Sequence, residues 1–157
     1  MIIKSAVTLL AGGQARRMGG GDKNLMMLAG KTVLQHVLDR VNFDGRPVMI
    51  NANGDPSRYA KFGFPVRADV IDGFAGPLAG IVTGLEWVKT DHPECTHMLS
   101  LATDAPFLPF DLIARLEVGL NARINPRADI AQAMSFTRRH PVLLSGRWPL
   151  LLPCAML

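Results

Sequence analysis

Leu9-Leu10-Ala11-Gly12-Gly13-Gln14-Ala15-Arg16-Arg17-Met18-Gly19-Gly20-Gly21-Asp22-Lys23 breaks an apolar run with two glycines, then supplies two adjacent arginines, three more glycines and a lysine. Glycines let a backbone reach positive φ and approach a ligand with no Cβ in the way, so that successive N–H groups can face an anion. Arg16, Arg17 and Lys23 add full charges, and the planar arginine fork suits bidentate contact with phosphate. In isolation such a loop is a solvated turn. Here it follows a buried-type strand at the start of the chain, where α/β nucleotide folds place their phosphate site.

Two familiar phosphate motifs are absent. No lysine follows a glycine at P-loop spacing, and Gly19-x-Gly21 has Asn24 where a dinucleotide fingerprint needs its third glycine. The loop is therefore neither a Walker A turn nor a dinucleotide-binding turn.

Working outward, 157 residues suit a single domain spanning 1–157 with a sizeable core. With 48% apolar and 19% charged residues, disorder is not expected. The formal charge of +4 raises nucleic acid as a partner, but the basic residues are dispersed from Lys4 to Arg147 and few aromatics accompany them. A small anionic ligand fits better. Cys95 and Cys154 are too few and too far apart for a disulfide framework or a zinc site. No run of residues is long enough to span a bilayer, and Ser5 to Ala11 is too short for a signal peptide. A cytoplasmic location without membrane contact is expected.

Ile2 to Leu10 reads as a central parallel strand. After the loop, Ala29-Gly30 closes the short stretch Leu25 to Leu28, and Val33, Leu34, Val37, Leu38 and Val41 recur at helical spacing from Thr32. His36 beside that stripe reads as a surface residue. Pro47 to Gly54 is a second strand ending in Asn51 and Asn53. Asparagines there serve either as turn formers or as amides presented to a base. A short helix over 57–62 and a third strand over 64–69 follow. Gly76-Pro77 marks a helix start, and Gly80 and Gly84 inside that helix imply close packing against another backbone or a ligand.

Thr96 to Ala102 reads as a fourth strand leading into Thr103-Asp104-Ala105-Pro106-Phe107-Leu108-Pro109. A carboxylate at the carboxyl end of a central strand lies in the ligand crevice of an open α/β sheet. Facing a phosphate loop, Asp104 suits a Mg²⁺ anchor, since magnesium takes one or two carboxylates and completes its shell with phosphate and water. The plainer alternative is a helix cap. A helix from Leu112 to Leu120, strands over 128–134 and 140–144, and an apolar tail from Pro149 to Leu157 complete the chain.

Leu10 to Lys23 resembles, with one extra glycine, the Leu-Ala-Gly-Gly-x-x-x-Arg-Met-Gly-x-Asp-Lys signature of the MobA-like nucleotidyltransferases, specifically the molybdenum cofactor guanylyltransferases. Gly76-Pro77-Leu78-Ala79-Gly80, Asp104 to Pro109 and His140-Pro141 resemble further motifs of that family in the same order, and Thr103 stands where a cysteine is common. The resemblance implies a three-layer Rossmann-like fold with a mostly parallel central sheet. It also implies transfer of GMP from GTP to the molybdenum pterin cofactor, with release of pyrophosphate. By the same resemblance Leu10, Ala11, Gly12, Gly13, Lys23, Asn51, Asp69, Gly76 and Asp104 would bind nucleotide, and Asp104 would hold Mg²⁺. Lys23, Arg17 and Asp104 would carry the reaction. Asp72 reads as a loop cap, Arg138 and Arg139 as either pterin-phosphate contacts or an exposed turn, and His140 as lining rather than catalytic.

Family members continue into a helix or two with an Asn-x-x-Thr-Pro-Glu-like segment that these residues lack. A domain shortened at its C-terminus is expected, or a tail that buries through self-association or against a molybdoenzyme or its chaperone. The open alternatives are a cytidylyl- or sugar-phosphate nucleotidyltransferase, and a non-catalytic nucleotide-binding homologue.

Overall fold

The structure, a computed structural model, describes residues 3–12, 22–71, 76–121, 130–135 and 137–147, with backbone alone for 121, 138 and 141–147. In chain order the elements are β1 (Ser5–Leu10), β2 (Met27–Leu28), β3 (Lys31–Thr32), α1 (Val33–Arg40), β4 (Val48–Asn51), β5 (Val66–Arg67), α2 (Pro77–Asp91), β6 (His97–Ala102), α3 (Leu112–Asn121), β7 (Ile130–Ser135) and β8 (Arg138–Arg147). Two 3₁₀ segments, Lys23–Leu25 and Pro56–Phe62, lie between them.

The main sheet has the order β5-β4-β1-β6-β8-β7, with β5, β4, β1 and β6 parallel. Only β8 runs the other way, pairing antiparallel with β6 and with β7. The expected mostly parallel sheet is therefore observed. From β1 the chain steps outward to β4 and β5, then returns past β1 to β6. That reversal puts a topological switch point between β1 and β6, where open α/β sheets bind ligands beyond the strands' carboxyl ends.

Burial follows from strands covered on both faces. Along β1, Ser5 to Leu9 are all buried. Val7 and Leu9 pack with Leu34 and Val37 of α1 and with Leu112, Ile113 and Leu116 of α3 on one face. Ala6 on the other face packs with Ile81, Leu85, Trp87 and Val88 of α2. These alternating directions are the period of a strand, and they produce three layers.

Local signals set the helix ends. Thr32 caps α1 by accepting from the Gln35 N–H at 3.2 Å, and Asp55 likewise accepts from Ser57 N–H at 2.9 Å ahead of Pro56. Gly76 has φ of 151°, which a side chain would resist, and Pro77 then opens α2. β1 begins at Ser5 rather than Ile2 and β5 is Val66–Arg67 within the run 64–69, whereas β8, at Arg138–Arg147, is longer than the strand expected over 140–144. At β1 and β5 the apolar run extends beyond the residues that complete the ladder.

Both glycines inside α2 are needed by its contact with the sheet. A Cβ at Gly84 would lie 2.6 Å from Met98 Sδ and strike the Thr8 hydroxyl, and one at Gly80 would lie 2.8 Å from Leu10 Cδ2 and strike the Asn51 side chain. The expected close approach is thus against the sheet's own side chains.

Candidate functional site at the switch point

The last residues of β4, β1 and β6 stand in register, Leu10 opposite both Asn51 and Ala102. Ala11 N–H then donates to Asn51 O at 2.8 Å, and the Thr103 hydroxyl donates to Leu10 O at 2.8 Å. These bonds carry Ala11-Gly12 and Thr103-Asp104 off the sheet side by side. Ala11 and Thr103 are buried at 2% exposure each, whereas Gly12 and Asp104 are exposed. A Cβ added at Gly12 would meet no described atom within 4 Å.

On the β4 side a compact amide network fixes Asp69. Asn51 Nδ2 donates to Asp69 Oδ1 at 2.9 Å and to Arg67 O at 3.3 Å. Asn53 Nδ2 donates to Asp69 Oδ2 at 2.8 Å, while Asn53 Oδ1 accepts from Asp69 N–H at 2.8 Å. Each carboxylate oxygen keeps further lone pairs for a ligand. Asn51 is only 4% exposed and both its donors point into this network. Thr83 of α2 accepts from Val70 N–H at 3.1 Å and donates to Ala79 O at 2.9 Å, tying the next residue to the start of α2. Gly76 precedes that start with no side-chain cap.

Lys23 is exposed on the 3₁₀ turn that follows the glycine-rich loop. Its neighbours anchor that turn. Asp22 forms an ion pair with Arg58, and Asn24, 2% exposed, is hydrogen-bonded to the hydroxyl of the fully buried Tyr59 at 3.2 Å. Burial pushes the Tyr59 phenol above its ordinary value despite the opposing hydrogen bond with Asn24. Reading the sequence in order gives no sign of these pairs, because their partners lie 35 and 36 residues apart. The signal available is the Arg58-Tyr59 dipeptide on the short helix Pro56–Phe62.

His36 Nε2 bonds to Leu28 O at 2.7 Å on the surface, as its spacing implies. His140 Nε2 bonds to Ser135 Oγ at 2.7 Å, and Arg139 is exposed near the start of β8, at the end of the sheet where Asp104 lies. Cys95 is buried, and burial followed by the Glu94 charge pushes its thiol up, against thiolate chemistry. Gly13, Arg16, Arg17, Asp72, Cys154, the Arg138 side chain and the apolar tail lie outside the described residues.

Among the described residues no three His, Cys, Asp or Glu side chains converge as a metal cage. A lone exposed carboxylate at Asp104 suits an ion that fills its shell with phosphate and water, and would not suit structural zinc.

The sequence profile of the MobA-like NTP transferase domain matches residues 7–155. The chain belongs to this family. Among its relatives, the molybdenum cofactor guanylyltransferase of Rhodopseudomonas palustris strain BisB5 is 50% identical over 141 residues, 90% of this chain and 65% of that protein. The molybdenum cofactor guanylyltransferase of Shewanella sp. strain MR-4 is 40% identical over 144 residues, 92% of this chain and 69% of that protein. The chain thus spans about 65% of the length of the R. palustris relative. In fold it is similar to molybdopterin-guanine dinucleotide biosynthesis protein A of Archaeoglobus fulgidus, with a TM-score of 0.62 and 20% identity, covering 92% of this chain and 68% of that one. Among the described residues no helix is long and apolar enough to cross a membrane.

Proposed function

We propose that this chain transfers GMP from GTP to the terminal phosphate of the molybdenum pterin cofactor and releases pyrophosphate. The observation that carries the reading is the Thr103 to Leu10 bond, which ties the residue preceding Asp104 to the end of the strand that leads into Ala11-Gly12. The names of the relatives at 50% and 40% identity support the choice of substrates.

In this reading an oxygen of the pterin phosphate forms a new bond to the α-phosphorus of GTP. The bond to the β-phosphate oxygen breaks, and its electron pair leaves on pyrophosphate. Bringing anions together is the main obstacle, so positioning and charge neutralisation dominate. Magnesium, when bound at Asp104, supplies charge neutralisation between the triphosphate and the attacking phosphate. Gly12, with Gly13, allows the backbone to approach the phosphates, while Lys23 and Arg17 offset charge on the departing pyrophosphate. No general base is needed, because the attacking phosphate is already ionised. Asp69, held by Asn51, presents acceptors of the kind guanine's N–H groups require, and the start of α2 at Gly76 offers backbone N–H groups to the nucleotide.

The test is pyrophosphate release with molybdopterin as acceptor, compared across the four nucleoside triphosphates. GTP alone should support turnover. Equal rates with CTP would overturn the guanylyl assignment, and GTP binding without release would favour a non-catalytic homologue.

A further inference from the structure

Arg58 is the one residue whose side chain reaches both halves of the site among the described residues. Its Nη1 pairs with Asp22, immediately before Lys23. Its Nη2 donates to Asn53 O at 2.6 Å, and its Nε donates to Asp55 O at 2.9 Å. Asn53 in turn grips Asp69 through both its amide atoms. A continuous path therefore runs from the lysine turn through Arg58 and Asn53 to the Asp69 carboxylate.

The geometry needs this residue type. Three N–H groups of one rigid fork serve three different acceptors, which a lysine ammonium on its flexible stem would not reproduce. Space for the fork is provided by Gly54, with φ of 84°, where a Cβ would lie 3.1 Å from Arg58 Nη2. The guanidinium carbon also lies 5.6 Å from the centre of the Tyr59 ring, whose hydroxyl holds Asn24. The lysine turn is thus fastened twice to the same short helix.

We infer that Arg58 is a positioning residue that sets the phosphate-facing Lys23 turn and the base-facing Asp69 network at a fixed separation. One guanidinium acts as the shared strut. The inference rests on the proposed guanylyl reading for its functional consequence, though not for its structural one. If it holds, loss of Arg58 loosens both ends together and weakens two properties at once: affinity for the triphosphate and preference for guanine.

Hydrogen exchange tests the structural part without any ligand. The reporters are Leu25 N–H, bonded to Asp22 O, Met26 N–H, bonded to Lys23 O, and Asp69 N–H, bonded to Asn53 Oδ1. In Arg58→Ala all three should exchange about tenfold faster, the effect of losing roughly one charged hydrogen bond at each end. Asp22→Ala, which removes the acceptor and keeps the fork on Asn53 and Asp55, should release Leu25 and Met26 alone. Acceleration in Arg58→Ala confined to one end, or to neither, would overturn the inference. The Asp22→Ala variant also serves if Arg58→Ala fails to fold, since unchanged exchange at Leu25 and Met26 in it would show that the Arg58 pair does not hold the lysine turn.

The functional part is read as the ratio of kcat/KM for GTP to that for ATP. Arg58→Ala should shrink it about tenfold and raise the KM for GTP, and Arg58→Lys should not restore the ratio. A merely structural role would lower the melting temperature and leave the ratio unchanged. If the wild-type chain shows no preference for GTP, the guanylyl reading fails, and the exchange results still decide whether Arg58 joins the two ends.

Discussion

The Thr103 hydroxyl donates to the Leu10 carbonyl at 2.8 Å, joining the ends of two neighbouring parallel strands just where each leaves the sheet. Thr103 is 2% exposed, so its bond does not compete with water. Thr103→Val keeps the shape and removes the donor. It should lower stability by about 1–2 kcal/mol in urea denaturation, and it should weaken nucleotide binding by more than the same stability loss introduced deep in the sheet.

Asp104 is exposed just past the carboxyl end of β6, with a single carboxylate to offer. Asp104→Ala should therefore change stability by no more than about 0.5 kcal/mol. Magnesium-dependent turnover should fall by about a hundredfold or more, as expected when charge stabilisation at the reacting phosphates is lost. Matched denaturation curves and pyrophosphate release assays would check both halves.

Gly80 and Gly84 offer a paired comparison on one helix. Alanine at either position pushes a methyl into the sheet and should cost about 1–3 kcal/mol. At Gly80 the methyl meets Asn51 and Leu10, while at Gly84 it meets Thr8 and Met98, well below the crevice. Nucleotide affinity measured by titration should fall in Gly80→Ala and hold nearly constant in Gly84→Ala, once both are compared at temperatures where they are equally folded.

The buried Tyr59 phenol titrates above its ordinary value because burial disfavours the anion. Folding therefore favours the protonated form: the stability is present below the unfolded value, near about 10, and is lost as pH rises through the folded one. Urea midpoints should fall between pH 8 and pH 11 in the wild type. Tyr59→Phe should be less stable at pH 8 by about 1–3 kcal/mol, because buried Asn24 loses its partner, and its midpoint should depend less on alkaline pH.

How far these residues announce their structure depends on the range of the interaction. The strand-to-glycine transition at Leu10-Ala11-Gly12, the Gly76-Pro77 helix start and the tight approach of α2 at Gly80 and Gly84 are local or periodic, and they could be read from the chain in order. The position of Asp104 just past the end of β6 was legible because the carboxyl end of a central strand is a place defined by the fold. Pairing across distance left no such mark: the clasp of Arg58 on Asp22, of Tyr59 on Asn24 and of Asn53 on Asp69 joins residues that no hydrophobic period connects. Nor does an apolar run declare its direction, so the antiparallel entry of β8 beside β6 emerges only when the sheet is assembled.

That Asp104 and Lys23 act together on one Mg²⁺-bound triphosphate is the central proposal, and calorimetric titration of GTP with Mg²⁺ tests it most directly. Wild-type chain should bind saturably, and Lys23→Ala and Asp104→Ala should each lose at least about tenfold in affinity while remaining folded. Undiminished binding in both variants would contradict it.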